Sequence, residues 1–360
     1  MLKKIGIFFV LGYVFLGLFL ILSGATSSAY AAEKAGQPIH IKCSNYAPPG
    51  HWTNKVWNEV ISKMNEASGG KVIVEYYHSA SLGKSTEQWD IVVEGLADMS
   101  VSVSAIFYPA RFPLSSFLEL PFIYTNTEVG TGVLQELIKR KLILKEFEGV
   151  RFLTAHLTPP AQLFSNKMLS KVDDFKGMRI VGQGPVWTKT WSLLGAQSVA
   201  MEWPDIYLGL ERKTVDAAPG NWVASKTWKW AEVAKYPTEM GIMGGFFNAT
   251  IINNNSWNKI PPDVQAAWMK IFEEVPMRIA KVADENEDTG RKFAREAGKE
   301  IYTFPAVEKE KLGEKLLSIW QDWLNRNESA GKPAKEIYKT YVEVMKRVGS
   351  PVVMKIPGSF

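Results

Sequence analysis

The chain contains little cysteine and little histidine for its 360 residues, and both shortages exclude classes of chemistry. Cys43 is the one cysteine, so no disulfide can form within the chain. The four histidines include no pair at metal-ligand spacing and have no cysteine partner, so they are expected at surface or loop positions rather than in a zinc site. No Walker-type phosphate loop and no Gly-x-Ser-x-Gly nucleophile turn occurs. The sequence therefore predicts no bound cofactor and no metal.

An excess of charge of one sign is also lacking. The whole chain has a formal net charge of +5, and subtracting Lys3 and Lys4 of the N-terminal segment leaves +5 − 2 = +3. A charge this small and this dispersed does not favour a nucleic-acid partner. No second uncharged run approaches the length that spans a membrane, so we expect the rest of the protein to be soluble.

The N-terminus has the layout of a secretory signal peptide. Lys3 and Lys4 precede the 18 uncharged residues from Ile5 to Leu22, and Ala29-Tyr30-Ala31 then supplies small residues before a cut in front of Ala32. The alternative is an uncleaved anchor, because 18 apolar residues are just long enough to span a membrane. The Ala-x-Ala sequence favours cleavage and export.

Strand and helix patterns alternate through the first third of the exported chain. Alternating or β-branched runs predict strands, and apolar residues at helical spacing predict helices. The strands are predicted at 39–45, 71–77 and 97–104, and the helices at 53–67 and 85–95. This order predicts an α/β domain with a parallel sheet and helices on its faces.

A second alternating unit follows further along the chain. It begins at "GMRIVG" (177–182) and extends to residue 218, and a β-rich run follows at 245–254. After Pro262 the chain is predicted to be helical, with Pro276 kinking or dividing the helix. Two such units predict two lobes with a crevice between them.

Ligands in such sheets bind beyond the carboxyl ends of the strands. The loops expected there are 44–52, 105–113, 156–165, 181–187 and 217–222.

One of these loops belongs to the stretch "DFKGMRIVGQGPVW" at 174–187. It is not a dinucleotide loop, because Trp187 occupies the place of the third glycine. Arg179 at the strand end could bind a carboxylate through two parallel hydrogen bonds. The alternative is a surface salt bridge, for instance to Asp173 or Asp174.

The 13 tryptophans are the positive signal in the composition. Trp191 and Trp203 are expected to pack in the core, whereas Trp187 and Trp222 follow glycine-containing loops at the predicted crevice. There, ligand contact and core packing are both open. Aromatic residues near strand ends are predicted to complete the apolar walls of a small-molecule site. From the other lobe these are Tyr46, His51, Phe107 and Phe247.

Several segments, taken in order between about residues 40 and 275, carry a family resemblance. Among them are "NYAPPGHW", "FPLSSFLELPFIY", "SKVDDFKGMRI" and "WNKIPPDVQAAW". Together they resemble the substrate-binding proteins of tripartite ATP-independent periplasmic (TRAP) transporters, the DctP-like family. The resemblance implies a two-lobed periplasmic-binding-protein-like α/β fold with a ligand cleft between the lobes and a long hinge helix.

The resemblance also implies domain boundaries. We expect a signal peptide at 1–31. Lobe 1 would comprise 32–155 with about 246–292, and lobe 2 would comprise 156–245 with about 293–360, including the C-terminal helices.

The function implied is that of a periplasmic receptor. It would capture a small organic acid by hinge closure, as a monomer without catalysis, and deliver the ligand to the TRAP permease subunits in the membrane. A secreted enzyme or a ligand-sensing binding protein on the same two-lobed scaffold remains the alternative.

Residue by residue, the resemblance has two departures. The family usually captures its carboxylate with an arginine ending a motif like KG-[LM]-[KR]-[IL]-R, and here "KGMRIV" places Val181 at that position. Arg179 matches the preceding basic position, and the following loop is one residue shorter, so a local shift is expected to turn Arg179 into the cleft. The alternative is that Arg179 stays outward and Val181 faces the cleft, with a less acidic or more apolar ligand held by Gln162, Asn221 and the aromatic residues. Gln162 stands where a second arginine often lies. Asn221 and Trp222 match ligand-facing positions.

Overall fold

The computed structural model of the protein describes residues 37–352 and 354. The predicted signal peptide and its cut before Ala32 lie outside the described residues. Within residues 37–352, no helix combines the length and the apolar character needed to cross a membrane.

The first sheet has five strands in the order β2-β1-β3-β10-β4. Strand β1 pairs in parallel with both β2 and β3, and β10 lies antiparallel between β3 and β4. The strands are β1 (Ile39–Ser44), β2 (Val72–Tyr77), β3 (Met99–Ser104), β4 (Val150–Leu157) and β10 (Phe247–Asn253).

The second sheet has six strands in the order β11-β9-β5-β8-β6-β7. Strand β5 is antiparallel to β8 and β9, whereas β6 is parallel to β7 and β8. The strands are β5 (Ala161–Ser165), β6 (Arg179–Val181), β7 (Gln197–Val199), β8 (Ala217–Gly220), β9 (Tyr236–Met243) and β11 (Tyr302–Thr303).

The predicted parallel pairing is confirmed among β1, β2 and β3 and among β6, β7 and β8, but both sheets also contain antiparallel strands that the sequence pattern did not predict. The chain leaves the first sheet after β4 and returns to it after β9, and the strands at these crossings run antiparallel to their neighbours. Hydrophobic alternation indicates a strand but not its direction, and the sequence pattern missed β5 and β9 altogether.

The two crossing segments lie in backbone contact. Thr158 N–H donates to the carbonyl of Phe246 at 3.1 Å, and Phe246 N–H donates to Thr158 Oγ1 at 2.8 Å. The hydroxyl of Tyr124 joins both segments, since it accepts from Gly245 N–H at 2.6 Å and donates to the Thr158 carbonyl at 3.1 Å. A Cβ atom on Gly245 would lie 1.9 Å from that carbonyl oxygen, so only glycine fits there.

Eleven α-helices within residues 37–352 pack on the sheets. Those that precede residue 212 are α1 (Thr53–Ala67), α2 (Gln88–Val93), α3 (Thr127–Lys139), α4 (Gly184–Leu193) and α5 (Ile206–Glu211). Those that follow it are α6 (Trp222–Thr227), α7 (Trp230–Val233), α8 (Asn254–Lys259), α9 (Pro262–Glu296), α10 (Ala306–Ser329) and α11 (Ala334–Arg347).

Helix α9 is 35 residues long and packs on elements of both sheets. Of the two predicted effects of Pro276, the division is wrong, because the helix continues through that residue, and the kink stays a prediction. Hydrogen bonds fix the helix on both sides of Pro276. Trp268 Nε1 donates to the Met64 carbonyl of α1 at 3.0 Å, and Val223 N–H of α6 donates to Glu287 at 3.2 Å. Such tertiary packing offsets the one backbone hydrogen bond that a proline removes.

The C-terminal helices contact elements beside the first sheet. Trp320 of α10 donates to the Pro121 carbonyl at 3.0 Å, and Trp323 donates to the Pro113 carbonyl at 2.8 Å. Helix α11 packs on α3, which precedes β4 in the chain. The assignment of residues 293–360 to lobe 2, like the other boundaries, stays a prediction.

We predict that Gly290→Ala weakens the attachment of α9. A Cβ atom at Gly290 would lie 2.1 Å from the backbone oxygen of Trp222, so α6 must move away from the helix. Overpacking of this kind should lower the free energy of unfolding by about 1–3 kcal/mol, measured by urea denaturation.

Gly313→Ala is the matched control for this prediction. It also replaces a helical glycine, and its Cβ would meet nothing closer than Met354 Sδ at 3.7 Å. We expect it to leave stability unchanged or to raise it by up to about 1 kcal/mol. Equal effects of the two substitutions would contradict the close contact at Gly290.

Candidate functional site

A cavity lies between the two sheets and is lined from both. The first sheet and its loops contribute Asn45, Tyr46, Ala47, His51, Trp52, Thr53, Trp57, Val101, Ser102, His156, Thr158 and Asn248. The second sheet contributes Trp203, Gly220, Asn221, Ala224 and Trp228, and Phe246 enters from the returning crossing segment. The cavity volume is about 40 Å³. One water needs roughly 10–15 Å³ on the same measure, so the cavity has room for only a few waters. The two sides therefore lie close together.

Aromatic rings form the apolar walls of this cavity, and Trp203 is central among them. Its ring stacks on that of Trp230 with centroids 5.6 Å apart and planes at 15°, and it meets Phe246 edge-on at 5.0 Å. Trp203 was predicted to serve packing alone. The structure places it in the wall of the cavity as well, because the turn after β7 brings it over the crossing segment.

Two histidines belong to the lining, His156 buried and His51 half-buried. His51 lies in the loop before α1, where its Nδ1 is 2.8 Å from Thr53 Oγ1, and His156 lies in β4. Burial lowers the pKa of His51 to about 4, and it lowers the pKa of His156 to about 3, with a smaller effect from the neighbouring His51. The expectation of a surface or loop position is therefore wrong for His156, which is 3% exposed. Both imidazoles are neutral at neutral pH.

Several polar atoms of the lining have no hydrogen-bond partner among the described residues. They are His156 Nδ1, Asn248 Oδ1, Ser102 Oγ and Trp203 Nε1. Asn248 in β10 stands directly opposite His156 in β4. A buried polar atom left unpaired costs about 1–3 kcal/mol, so a bound molecule that pairs with these atoms would be stabilised in the cavity.

Loops of the two sheets also touch each other outside the cavity lining. Ser85 Oγ donates to Glu202 Oε2 at 2.8 Å. Gly184, at φ +69°, lies against the backbone of Ile106, and a Cβ atom there would be 2.5 Å from the Ile106 carbonyl oxygen. The glycine-containing loop before α4 thus allows close approach of the two sides; it does not line the cavity.

Three of the residues predicted for the site line the cavity together: Tyr46, His51 and Asn221. Burial, and secondarily Glu202, raises the pKa of the Tyr46 hydroxyl well above its usual value, so it stays protonated. Asn221 Oδ1 accepts a hydrogen bond from Ala224 N–H at 2.6 Å and begins helix α6.

Arg179 does not reach the cavity, and the expectation that it turns inward is corrected. Its guanidinium contacts Asp216, with Nε 3.3 Å from Oδ2, and donates to the Lys213 carbonyl at 2.7 Å. The side chain is 42% exposed. The partner is not Asp173 or Asp174 but an acid from the turn before β8, because β6 and β8 are neighbours in the sheet.

Two further predicted residues, Gln162 and Trp222, also lie outside the lining and hold the second sheet together. Gln162 Oε1 accepts from the backbone N–H groups of Met240 and Gly241, at 2.8 and 2.9 Å, and so bridges the irregular pairing of β5 and β9. Trp222 is fully buried, edge-on to Phe164 with ring centroids 5.2 Å apart. Of the two roles left open for Trp222, ligand contact and core packing, its position corresponds to core packing.

The remaining aromatic predictions fall behind the lining rather than in it. Trp187 packs on the lining residue Phe246, with ring centroids 4.9 Å apart. Phe247 packs toward Phe147 in the hydrophobic core, with ring centroids 6.4 Å apart. Phe107 is partly buried against the same core.

Two lining residues that the sequence analysis did not nominate, Asn248 and His156, could have been suspected from their polarity. Asn248 and His156 are polar residues inside otherwise apolar strands, in "FFNATII" and "LTAHL". Buried polar residues in core strands need partners, and this requirement could have nominated them.

Comparison with known proteins gives a consistent picture. The family model for bacterial extracellular solute-binding protein, family 7 (DctP), matches residues 43–327. The C4-dicarboxylate-binding periplasmic protein DctP of Rhodobacter capsulatus is 25% identical over 312 residues, 85% of this chain and 93% of that protein.

Two solved structures share the fold. One is a TRAP solute binding protein of Rhodoferax ferrireducens with copurified benzoate, with a TM-score of 0.78 at 22% identity over 86% of this chain and 98% of that one. The other is a TRAP periplasmic solute binding protein of Bordetella bronchiseptica with bound mandelate, with a TM-score of 0.79 at 22% identity over 86% and 100% of the two chains. The predicted two-lobed α/β fold is confirmed.

The matched region spans both sheets, the crossing segments and the whole of α9. It includes the residues that line the cavity, and the predicted family resemblance is confirmed. This chain belongs to bacterial extracellular solute-binding protein family 7.

Proposed function

We propose that the protein is a periplasmic receptor that encloses one small organic acid between its lobes and presents it to a TRAP permease. The observation that supports this most directly is the cavity lined from both sheets, in which residues with unpaired polar atoms lie among aromatic rings. Small-molecule sites have this character, with apolar walls and a few fixed polar groups.

Closure is the step that gives such a receptor its affinity. Trp203 and Asn221 reach the cavity from the second sheet, and Trp57 and His156 reach it from the first, so a ligand touches both groups only when the lobes are together. A ligand shifts an open–closed equilibrium by its difference in affinity for the two states. Contacts made only in the closed state therefore drive closure.

The walls favour an acid with a ring or another apolar body. Trp52, Trp57 and Trp228 line the cavity, and flat rings pack well against indole rings. Similar proteins hold benzoate and mandelate, which have this shape.

The rest of the proposal concerns partners and processing. We propose export with cleavage before Ala32, a monomeric receptor, no cofactor and no catalysis. A secreted enzyme would convert its ligand, so mass spectrometry of ligand incubated with the protein should recover it unchanged. A sensing role would be favoured if no TRAP permease genes accompany the gene for this chain.

We predict that ligand reduces the radius of gyration measured by small-angle X-ray scattering. The acid that co-purifies is first removed by partial unfolding and refolding, and the protein is then titrated with that acid, or with benzoate and mandelate. Because the structure has its lobes closed, the scattering of the saturated protein should match the curve calculated from it. An unchanged radius at saturation would contradict hinge closure.

We also predict that Trp203→Phe weakens ligand binding by about fivefold. The substitution keeps a ring in the wall but removes the unpaired indole N–H, and one hydrogen bond contributes about 1 kcal/mol. Calorimetric titration measures the change.

Trp230→Phe is the matched control for Trp203→Phe. Trp230 stacks on Trp203 and its Nε1 also lacks a partner among the described residues, but it lies behind the lining. We expect this variant to lose stability and keep its affinity. Equal losses of affinity in the two variants would remove Trp203 from the binding residues.

A further inference from the structure

The cavity offers no permanent positive charge to an acid. No lysine or arginine is among its lining residues in the described part of the chain. Arg179 is bound to Asp216 at the surface, and Val181 is buried in the core of the second sheet. An acid that enters this cavity therefore meets only neutral groups at neutral pH.

This neutrality creates an energetic problem for an organic acid. Carboxylic acids with a pKa near about 4 arrive ionised at neutral pH. Burying a carboxylate away from water is strongly unfavourable unless a positive charge or several hydrogen-bond donors compensate for the lost hydration. The cavity must supply a charge that it does not carry when empty.

His156 is placed to supply that charge. It is 3% exposed, it lines the cavity from β4, and its Nδ1 has no partner among the described residues. Its ring is held edge-on against Trp57, with centroids 5.8 Å apart. An imidazole fixed in this way can take up a proton when an anion arrives beside it.

We propose that His156 takes the place of the missing arginine, so that the cleft binds its organic acid together with one proton from the solvent. This inference rests on the proposed receptor function. The proton adds to the imidazole, and the resulting imidazolium pairs with the carboxylate. No bond other than that N–H forms, and the ligand keeps its chemical identity.

The neighbouring groups are compatible with a positive charge on His156 only when an anion is present. His51 is the titratable neighbour that acts on the pKa of His156, and its own protonation would oppose that of His156. Tyr46 in the lining stays neutral, and Glu202, outside the lining, accepts a hydrogen bond from the Ser85 hydroxyl. On α9, which packs on β4, Asp284 accepts from the backbone N–H groups of Thr127 and Glu128.

Other lining groups can complete the binding of the carboxylate. The Ser102 hydroxyl and Trp203 Nε1 are donors without partners among the described residues, so they are available to the second carboxylate oxygen. Such donors alone provide no net charge. The proton on His156 is what neutralises the buried pair.

The sign of the pH dependence follows from this linkage. When the cleft is closed and no anion lies beside His156, burial lowers its pKa to about 3, and a carboxylate alongside raises it. Between the two pKa values, binding takes up a proton, so affinity falls as pH rises, by up to about tenfold per pH unit. A carboxylate bound by an arginine would show no such slope at neutral pH.

Calorimetric titration in two buffers of different ionisation enthalpy counts the protons directly. The probe is the acid identified by mass spectrometry in the purified protein, with benzoate, mandelate and succinate as a fixed panel. At neutral pH we expect uptake of about one proton per acid bound. Uptake near zero with an acid bound would overturn the role of His156 and leave the receptor function intact.

The variants assign the proton to one residue. His156→Gln should abolish the uptake and weaken binding by about tenfold or more, because a charged hydrogen bond is lost. His40→Gln is the control, since His40 is exposed and pairs with Glu75 away from the cavity. Uptake that survives in His156→Gln but disappears in His51→Gln would overturn the assignment to His156.

A second measurement covers the case in which His156→Gln does not fold. Ring nitrogen chemical shifts of wild-type protein distinguish neutral imidazole from imidazolium. We expect His156 to be neutral in the empty protein and charged in the complex at the same pH; a neutral ring in the complex would overturn the inference. If every acid of the panel fails to bind and a neutral compound is extracted instead, the organic-acid part of the proposed function fails as well.

Discussion

The paired crossing of the chain between the two sheets is the constraint on which the rest of the structure depends. The segment that follows β4 and the segment that precedes β10 exchange backbone hydrogen bonds at Thr158 and Phe246, and Tyr124 joins both through one hydroxyl. Gly245 makes the contact possible, since any side chain there would overlap the Thr158 carbonyl. Thr158 and Phe246 also line the cavity, so the segments that connect the lobes form part of the site as well. A change that separates the crossings would alter both.

Helix α9 provides the second connection, through close approach to α6 and through an ion pair between Arg291 and Glu239 of β9 at 2.6 Å. Gly290 of α9 lies against the backbone of Trp222 in α6, where a side chain would not fit. Glu287 of α9 accepts a hydrogen bond from Val223 N–H, also in α6. Burial raises the pKa of Glu287 to about 8, so this carboxyl group is largely protonated at neutral pH and adds no unpaired charge to the contact. Trp222 therefore serves as the attachment point of the long helix, and this explains why a tryptophan beside the cavity residue Asn221 does not itself face the ligand.

The site itself combines neutral polar atoms with aromatic walls, and this combination distinguishes it from a cleft built around a guanidinium group. A permanent cation binds an acid at any pH near neutral, whereas an imidazole does so only with a proton. Coupling ligand capture to a proton would tie the affinity of the receptor to the acidity of its compartment. The same neutrality lets the empty cleft close without burying a charge, because the lining histidines lose their protons instead.

The class of fold, the alternation of strands and helices, and the family could be predicted from the sequence, because hydrophobic period, turn residues and ordered motifs are local properties of the chain. Positions at predicted strand ends also nominated Tyr46 and His51, and the family resemblance nominated Asn221; all three line the cavity. Only the tertiary structure decided that Arg179 pairs with Asp216, that His156 and Asn248 face the same cavity, and that α9 passes unbroken through Pro276. Each of these depends on which strands and helices become neighbours, and that pairing joins residues far apart in sequence through sheet order and direction, which alternation along one strand does not encode.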